Sequence, residues 1–127
     1  MPRHYLGIGH DSVARFADIT ALVARGLGEL KLLPADIAVI ASIDQKREAG
    51  LVTALAGHLG VGGQFFSADE LEAETPRLEN PSESVYRQMG CHGVAEAAAL
   101  AAAGPDAELI LPKIAGAGVT CAIARRR

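Results

Sequence analysis

Apolar runs and amphipathic segments alternate along the first part of the chain. The run at residues 5–9 is short, apolar and ended by glycine, which is typical of a strand that leads into a tight turn. In the segment 13–27, apolar residues recur at three- and four-residue intervals, which predicts a helix with one buried face. Asp11 or Ser12 is expected to cap the start of that helix.

The same order repeats in the next part of the chain. Residues 37–43 follow a proline-marked turn and predict a second buried strand. The segment 47–60 predicts a second helix, with leucines four residues apart and Gly60 at its end. A third short strand is expected at residues 64–66. Strands that alternate with helices in this way predict a parallel sheet.

Three helical patterns follow. Ser67 and Glu70 have the spacing of a capping box, so a short helix is expected after Ser67. Another short helix is expected from Ser82, within a polar segment that contains prolines. The alanine-rich segment 93–105 is the clearest helical pattern in the chain, and its glycine and proline mark the end of the helix.

Two β-type runs close the chain, at residues 107–112 and 117–125. The stretch "KIAGAG" at residues 113–118 is expected to connect them as a hairpin-like return. The pattern as a whole predicts an α/β fold, a three-layer α/β/α sandwich on a mixed, mostly parallel sheet of about five strands. With 127 residues and no linker-like segment, the chain is predicted to form a single domain over residues 1–127.

Charge and hydropathy argue against two classes of protein. The formal net charge is −3, and the only basic cluster is Arg125 to Arg127, which is expected to be a solvated tail, so nucleic acid is not an expected partner. No segment approaches the roughly 18 apolar residues that span a bilayer, and the first residues have no long hydrophobic run, so no leader is expected. A cytoplasmic protein with no membrane partner is expected.

The cysteines and histidines do not predict a metal site. Cys91 and Cys121 are isolated and are expected to be reduced thiols. Cys91 and His92 are adjacent, and neighbouring side chains on a regular element point apart. His10 and His58 add no ligand spacing. Neither a metal nor a cofactor is therefore expected.

Several polar segments are expected to meet at one edge of the sheet. In open α/β sheets, ligands bind beyond the carboxyl ends of the parallel strands. The segments 7–12, 42–48 and 66–70 each follow a predicted strand, and the segment 112–118 is expected near them. This edge is the predicted location of a functional site.

The first segment offers an anion site at a predicted helix start. Gly7 and Gly9 resemble part of a phosphate-binding loop, and the backbone N–H groups from His10 to Ser12 would face an anion such as a carboxylate. The alternative is that the glycines only form a tight turn and that Ser12 or Asp11 only caps the helix.

Lys113 directly follows an apolar run and precedes small residues that let a ligand approach the backbone. Its ammonium group would hold a carboxylate as a point charge. A lysine at a hairpin tip that protects a sheet edge is the alternative.

Two further groups of polar residues have two interpretations each. Asp44 and Lys46 would position a polar ligand, and Glu48 would accept a proton, or all three are solvated loop charges. Glu96, near the start of the alanine-rich helix, either points to the same edge or only favours the helix. From residue patterns alone, the chain is an α/β protein with a polar rim that suits an anionic ligand.

The order of several motifs resembles one known family. The motifs are "GIG", "SIDQKRE", "FFSADEL", "PSESV", "GVAEAAAL" and "PKIAGAGVTCAIAR". They are similar to those of the cobalamin-biosynthesis family that includes CobE and the C-terminal domain of CbiG, and they follow the same order through nearly the whole chain. The family-like positions are Gly7, Gly9, Asp44, Lys46, Glu48, Ser67, Glu96, Lys113, Gly118 and Thr120.

The resemblance implies a cytosolic protein of corrin-ring assembly. The short CobE type is associated with the oxygen-dependent pathway, whereas the longer CbiG proteins open a lactone on a cobalt-precorrin. A precorrin or other corrinoid intermediate is then the implied ligand, a flat apolar macrocycle fringed by carboxylates. Lys46, Arg47 and Lys113 would contact the fringe, together with His10 and Ser12 at the helix start. The floor would be formed by Ile114, Ala115 and Ala117.

Two other functions stay open at this point. In the first, the protein is an enzyme on the same pathway, with Asp44, Glu48 or His10 as general acid or base, as in a CbiG-like lactone hydrolysis. In the second, it is a non-catalytic partner of another enzyme of the cobalamin pathway. The sequence does not indicate the oligomeric state or which intermediate is bound.

Overall fold

A computed structural model describes residues 3–127. Its five strands form one sheet in the order β3-β2-β1-β5-β4. The strands are β1 (His4–His10), β2 (Ile37–Ile43), β3 (Gly62–Phe66), β4 (Glu108–Gly116) and β5 (Val119–Arg125). The helices are α1 (Phe16–Glu29), α2 (Leu51–Leu59), α3 (Ala68–Glu72), α4 (Glu83–Met89) and α5 (Ala95–Ala103).

The sheet is mixed, as the pattern of strands predicts. Strands β1, β2 and β3 are parallel neighbours. On the other side of β1, β5 runs antiparallel to it, and β4 is antiparallel to β5. Strand β4 therefore runs in the same direction as β1, and the turn between β4 and β5 lies at the carboxyl edge of the parallel strands.

Helices cover both faces of the sheet, which confirms the predicted three layers. Alternate residues of β1 point to opposite faces. Leu6 and Ile8 pack in one buried cluster with residues of α1 and α2, such as Ile19 and Leu55. Tyr5 packs in a second cluster with the alanines of α5 and with residues of α3.

Helix α5 lies unusually close to the sheet because small residues face each other. A Cβ atom on Gly7 would lie 1.9 Å from the carbonyl oxygen of Ala95. Buried alanines on α5, including Ala98 and Ala99, present little side-chain volume toward β1. Gly7 is thus a packing residue, and the close contact fixes where α5 begins relative to the carboxyl edge.

Helix α1 starts later than the capping pattern predicts. The expected cap at Asp11 or Ser12 is wrong, because residues 11–15 form a loop and the helix begins at Phe16. The Asp11 carboxylate accepts hydrogen bonds from the backbone N–H groups of Val13 and Ala14, at 3.0 and 2.8 Å. An Asx turn therefore competes with the helix at this point. The helix N-terminus expected at His10 to Ser12 is not there.

Three other predicted helix ends agree with the structure, whereas α2, which was predicted from residue 47, begins at Leu51 because residues 44–49 form turns. Ser67 caps α3 by accepting a hydrogen bond from the backbone N–H of Glu70 at 3.1 Å, and the Glu70 carboxylate accepts one from the Ser67 N–H at 2.9 Å. Ser82 caps α4 through the Val85 N–H. Gly60 ends α2 in the left-handed conformation, with φ of 73°.

The hairpin is tighter than predicted. Strand β4 continues to Gly116, so "KIAGAG" is mostly strand, and Lys113 lies within β4 and not at the tip. The turn consists of Ala117 and Gly118, whose φ values are 52° and 78°. Two adjacent positive φ values are the signature of a type I′ turn, whose twist matches that of the flanking strands.

The basic C-terminus also differs from the prediction of a solvated tail. The Arg126 guanidinium donates to the carbonyl oxygen of Ala103 at 2.8 Å, at the end of α5, and lies over the ring of Tyr5. Arg125 and Arg127 both pair with the Glu108 carboxylate. The arginines therefore cap a helix and join the ends of β4 and β5. None of the helices in residues 3–127 combines the length and the apolar character that crossing a membrane requires.

Candidate functional site

A cleft of about 390 Å³ opens at the carboxyl edge of the sheet. This volume lies in the range of small-molecule sites, roughly 300–1,000 Å³. Its sides come from the ends of β1 and β2, from β4 and β5, from helix α4 and from the loop that precedes α5. The lining residues are Gly9, His10, Asp11, Ser12, Ile43, Lys46, Val85, Gln88, Met89, His92, Gly93, Val94, Lys113, Gly118 and Thr120.

Most of the residues predicted from the sequence meet in this cleft. The structure brings together Gly9, His10, Ser12, Lys46, Lys113, Gly118 and Thr120. They lie on β1, β4 and β5 or on the turns that follow β1, β2 and β4, and the topology brings these segments to one edge of the sheet. Gly9 pairs with Thr120 across β1 and β5, and a Cβ atom at Gly9 would lie 2.6 Å from the Thr120 hydroxyl oxygen. Glycine at position 9 therefore leaves room for that hydroxyl.

Other predicted residues lie outside the cleft lining. Gly7 packs against α5, and the Ser67 hydroxyl caps α3. The exposed Asp44 carboxylate accepts a hydrogen bond from the Arg47 guanidinium at 3.2 Å. That guanidinium lies over the Phe65 ring, 4.5 Å from its centroid. Glu48 is exposed on the turn that follows.

Glu96 is the most enclosed charged group near the cleft, with only 2 % of its surface exposed. One carboxylate oxygen accepts from the backbone N–H groups of Glu79 and Asn80, at 3.1 and 2.9 Å. The other accepts from the Asn80 side chain and from the Lys113 N–H, at 2.8 and 2.9 Å. Glu96 thus ties α5, the segment before α4 and β4 together behind the cleft.

The pKa of the Glu96 carboxyl reflects two opposing effects. Burial raises this pKa, because a charge loses its hydration. The hydrogen bonds from Lys113, Asn80 and Glu79 lower it by more, so the pKa lies below its ordinary value and the carboxylate stays charged. A buried anion that is fully hydrogen-bonded is a structural support for the cleft wall.

An irregularity in β4 presents Lys113 to Glu96. Leu111 pairs with Ile123 and Ile114 with Cys121, so β4 uses three residues where β5 uses two. This bulge leaves the Lys113 N–H without a ladder partner, and Glu96 accepts from it. The proline before Lys113 has no N–H to donate. The bulge therefore turns Lys113 toward the α5 side of the sheet, where the cleft lies.

Two lysines give the cleft its positive charge. Neither Lys46 nor Lys113 forms an ion pair with any group in residues 3–127. Asp11 also lines the cleft, but its carboxylate is held by two backbone N–H groups of its own loop. Both ammonium groups are thus available to an anionic ligand.

His92 is a cleft residue whose role the sequence did not reveal. Its Nδ1 lies 2.8 Å from a carboxylate oxygen of Glu72, and its Nε2 lies 3.3 Å from one of Glu83. The Tyr86 ring stacks on the imidazole with centroids 4.3 Å apart. Hydrogen bonding to Glu72 raises the pKa of His92, and the charge of Glu83 adds to this effect. The ring faces a carboxylate at each nitrogen, which favours the imidazolium form.

The sequence patterns also did not predict that the cleft has an apolar wall. Val85 and Met89 of α4, Val94 before α5 and Ile43 at the end of β2 line the cleft. The predicted floor residue Ile114 instead packs on the opposite face of the sheet. The four-residue spacing of Val85 and Met89 indicates one apolar face of a helix, but the polar residues between and around them obscure this pattern.

Helix α4 is held mainly by polar contacts. None of its residues is buried. The Gln45 side chain donates to the Met89 carbonyl oxygen at 3.1 Å, and the Ser82 N–H donates to the His92 carbonyl oxygen at 2.7 Å. The polar turn after β2 therefore anchors the end of α4 through Gln45.

The remaining titratable groups near the site are enclosed. His10 is 9 % exposed, and its Nδ1 donates to the Asp11 carbonyl oxygen at 2.8 Å. Burial raises the pKa of Cys91 and raises that of Cys121 to about 12, so both thiols stay protonated at neutral pH. Within the described residues, no group of three His, Cys, Asp or Glu side chains is arranged as a metal site.

Comparisons with known proteins agree on one family. Residues 4–124 match the family described as cobalamin synthesis G C-terminus. Protein CobE of Sinorhizobium sp is 43% identical over 119 residues, which are 94% of this chain and 77% of that protein. A crystal structure of CobE, described as a protein from the cobalamin (vitamin B12) biosynthetic pathway, is 34% identical with a TM-score of 0.91, and covers 100% of this chain and 94% of that one.

A more distant relative is an enzyme. The cobalt-precorrin-5A hydrolase of Priestia megaterium is 25% identical over 119 residues, which are 94% of this chain and 31% of that protein. The chain thus spans about a third of the hydrolase. From the family match and the CobE relatives, the chain belongs to the CobE/CbiG C-terminal family and is a cobalamin-biosynthesis protein of the CobE type.

Proposed function

We propose that the protein binds a precorrin or other corrinoid intermediate in the cleft at the carboxyl edge of the sheet. The observation that carries the proposal is a pair of lysines, Lys46 and Lys113, that form no ion pair within residues 3–127 and lie on a cleft with an apolar wall. Corrin precursors are flat apolar macrocycles with acetate and propionate side chains. Such a ligand needs an apolar surface for the ring and cations for its rim.

The two halves of the cleft match the two parts of this ligand. Val85, Met89 and Val94 offer apolar side chains to the macrocycle. The lysines lie on β4 and on the turn after β2, which are separated by β1 and β5 in the sheet, so they reach different parts of a wide ligand. The Thr120 hydroxyl adds a hydrogen-bonding group between them.

Binding is favoured over catalysis by the position of the acid and base candidates. Asp44 and Glu48 lie outside the lining of the cleft, and Asp44 is paired with Arg47. His10 lines the cleft but is only 9 % exposed; its Nδ1 donates to the Asp11 carbonyl oxygen, and only its buried Nε2, which has no hydrogen-bond partner in residues 3–127, is left for proton transfer. A carrier of an intermediate needs no such group. We further propose that the chain acts as a single domain in the cytoplasm and exchanges its ligand with another enzyme of the pathway.

A titration of the purified protein tests the proposal. Late precorrin intermediates of the oxygen-dependent pathway are added while the visible absorption of the pigment is followed. We expect a saturable spectral shift that is weakened in Lys46→Ala and Lys113→Ala. Lys31→Ala is the matched control, because Lys31 follows α1 at the opposite edge of the sheet. Absence of any shift, with capture of a pathway enzyme by the same protein, would favour the role of a protein partner.

A further inference from the structure

The two carboxylates that face His92 are not equivalent. Glu72 lies 2.8 Å from Nδ1 and also accepts from the His92 backbone N–H at 2.9 Å and from the Thr75 hydroxyl at 2.8 Å. Glu83 lies 3.3 Å from Nε2, and its side chain is 76% exposed. Charge-assisted N–H to carboxylate bonds are normally about 2.7–2.9 Å long. Glu72 is therefore a fixed partner, and Glu83 is a weak one.

The weak partner is carried by the most loosely packed wall of the cleft. Glu83 is the first residue of α4, a helix of seven residues with none buried. His92 belongs to the cleft lining, and Glu83 does not. The contact from Glu83 to Nε2 thus joins an exposed acidic side chain to an imidazole of the cleft lining.

We propose that Nε2 of His92 is a binding position for one peripheral carboxylate of the ligand, and that the carboxylate of Glu83 occupies it until the ligand displaces it. Glu72 and the stacked ring of Tyr86 keep the imidazole in place during the exchange. The ligand class is a corrinoid with free carboxylates, so this inference rests on the proposed function. It adds a third cation to Lys46 and Lys113, together with an internal competitor for it.

Removal of the competitor should improve binding, which distinguishes this role from a structural one. In Glu83→Gln, the side chain keeps its length but loses its charge, so the ligand no longer displaces an ion pair. Exposed ion pairs contribute up to about 1 kcal/mol, which corresponds to about fivefold in affinity. We expect Glu83→Gln to bind more tightly than the unmodified protein, by up to about fivefold.

The test uses two corrinoids that differ in charge. Cobyrinic acid has free side-chain carboxylates, whereas in cobinamide they are amides. The gain in affinity that Glu83→Gln causes should be found with cobyrinic acid and not with cobinamide. It should disappear when His92→Gln is combined with Glu83→Gln. Asp69→Asn is the matched control, since Asp69 is an exposed acidic residue in the first turn of α3. This variant should bind cobyrinic acid with the affinity of the unmodified protein.

The outcomes separate this inference from the proposed function. Unchanged or weaker binding by a folded Glu83→Gln, with lysine-dependent binding by the unmodified protein, would overturn the carboxylate position and leave corrinoid binding intact. An equal gain in the His92→Gln background would also overturn it. If neither corrinoid nor any precorrin binds the unmodified protein or Glu83→Gln, the proposed function fails and this inference fails with it. Circular dichroism and urea unfolding establish that each variant is folded.

Discussion

The carboxylate of Glu96 accepts a hydrogen bond from the backbone N–H of Lys113 at 2.9 Å, at a bulge of β4 that faces the cleft. The two residues are 17 positions apart in sequence and belong to different layers of the fold. Because the bulge frees that N–H, the sheet needs a buried acceptor there. The same hydrogen bond fixes the backbone of Lys113 at the cleft wall.

Glu96→Gln should destabilise the protein and disturb the cleft. The glutamine NH₂ group is a donor, and it would face the donors on Lys113 or Asn80 that Glu96 now satisfies. We expect a loss of about 1–3 kcal/mol in the free energy of unfolding, measured with urea. The control Glu70→Gln changes an exposed glutamate in a helix cap and should cost less. Equal losses in the two variants would contradict the supporting role of Glu96.

The stability that Glu96 contributes should decrease as the pH falls. Its pKa is lowered in the folded protein relative to the ordinary value of 4.5. The stability that it contributes is therefore present above pH 4.5 and is lost as the pH falls through the folded pKa. The difference in unfolding free energy between the unmodified protein and Glu96→Gln should shrink in acid. If the difference in unfolding free energy stayed constant down to the lowest pH at which both proteins fold, a lowered pKa of Glu96 would be contradicted.

Gly7→Ala should be strongly destabilising. Its Cβ atom would lie 1.9 Å from the Ala95 carbonyl oxygen, so α5 must move away from the sheet. Overpacking of this kind costs about 3 kcal/mol. Gly57→Ala is the matched control, because a Cβ atom there meets nothing within 4 Å and the residue lies inside α2. That variant should be stabilised by up to about 1 kcal/mol, as urea unfolding of both proteins will show. Similar effects in both variants would argue against the close packing of α5.

The His92 and Glu72 pair should stabilise the protein most in mildly acidic solution. The pKa of His92 is raised above 6.5, so its contribution is complete below pH 6.5 and is lost as the pH rises through the folded pKa. The pKa of Glu72 is lowered below 4.5, so its contribution is complete above pH 4.5 and is lost in stronger acid. The unfolding free energy of the unmodified protein minus that of His92→Gln should therefore be largest between these two values and smaller at alkaline pH. An increase of the difference toward alkaline pH would contradict this assignment.

Corrinoid binding should weaken as salt is added, because Lys46 and Lys113 contact carboxylates electrostatically. Each single alanine variant should lose about fivefold in affinity, from about 1 kcal/mol per partly exposed charge pair. The double variant should keep only a weak salt dependence, because His92 is then the remaining group that is proposed to contact a carboxylate of the ligand. Calorimetry of the four proteins with cobyrinic acid, at low and high ionic strength, measures both effects. Undiminished salt dependence in the double variant would show that other cations hold the ligand.

Much of the fold follows from local sequence patterns. Strand β2 has the bounds that the apolar run predicts, and the caps at Ser67 and Ser82 are those of the side-chain pattern. The start of α1 was misplaced because the Asp11 side chain has two ways to satisfy backbone N–H groups, as a helix cap or in an Asx turn. Composition does not decide between them.

The site was predictable in its location and only partly in its residues. Strand ends converge by topology, so Lys46 and Lys113 line one cleft as expected, and Thr120, which only the family resemblance implies, lies there as well. The role of Glu96 depends on Asn80 and Lys113, 16 and 17 residues away in sequence, and that of His92 depends first on Glu72, 20 residues away, and no periodicity indicates such pairs. The bulge that turns Lys113 toward the cleft is likewise a tertiary feature, because it exists only in the pairing of β4 with β5.

Amide chemical-shift mapping with cobyrinic acid tests the central claim most directly, and a chain of 13.2 kDa suits the method. The claim predicts saturable shifts that cluster at Gly9, Lys113, Gly118, Thr120 and the segment 88–94, with little change at Leu33 and Val61 on the opposite edge of the sheet. Shifts that cluster at that opposite edge, or no shifts at ligand concentrations that saturate the optical titration, would contradict corrinoid binding in the cleft.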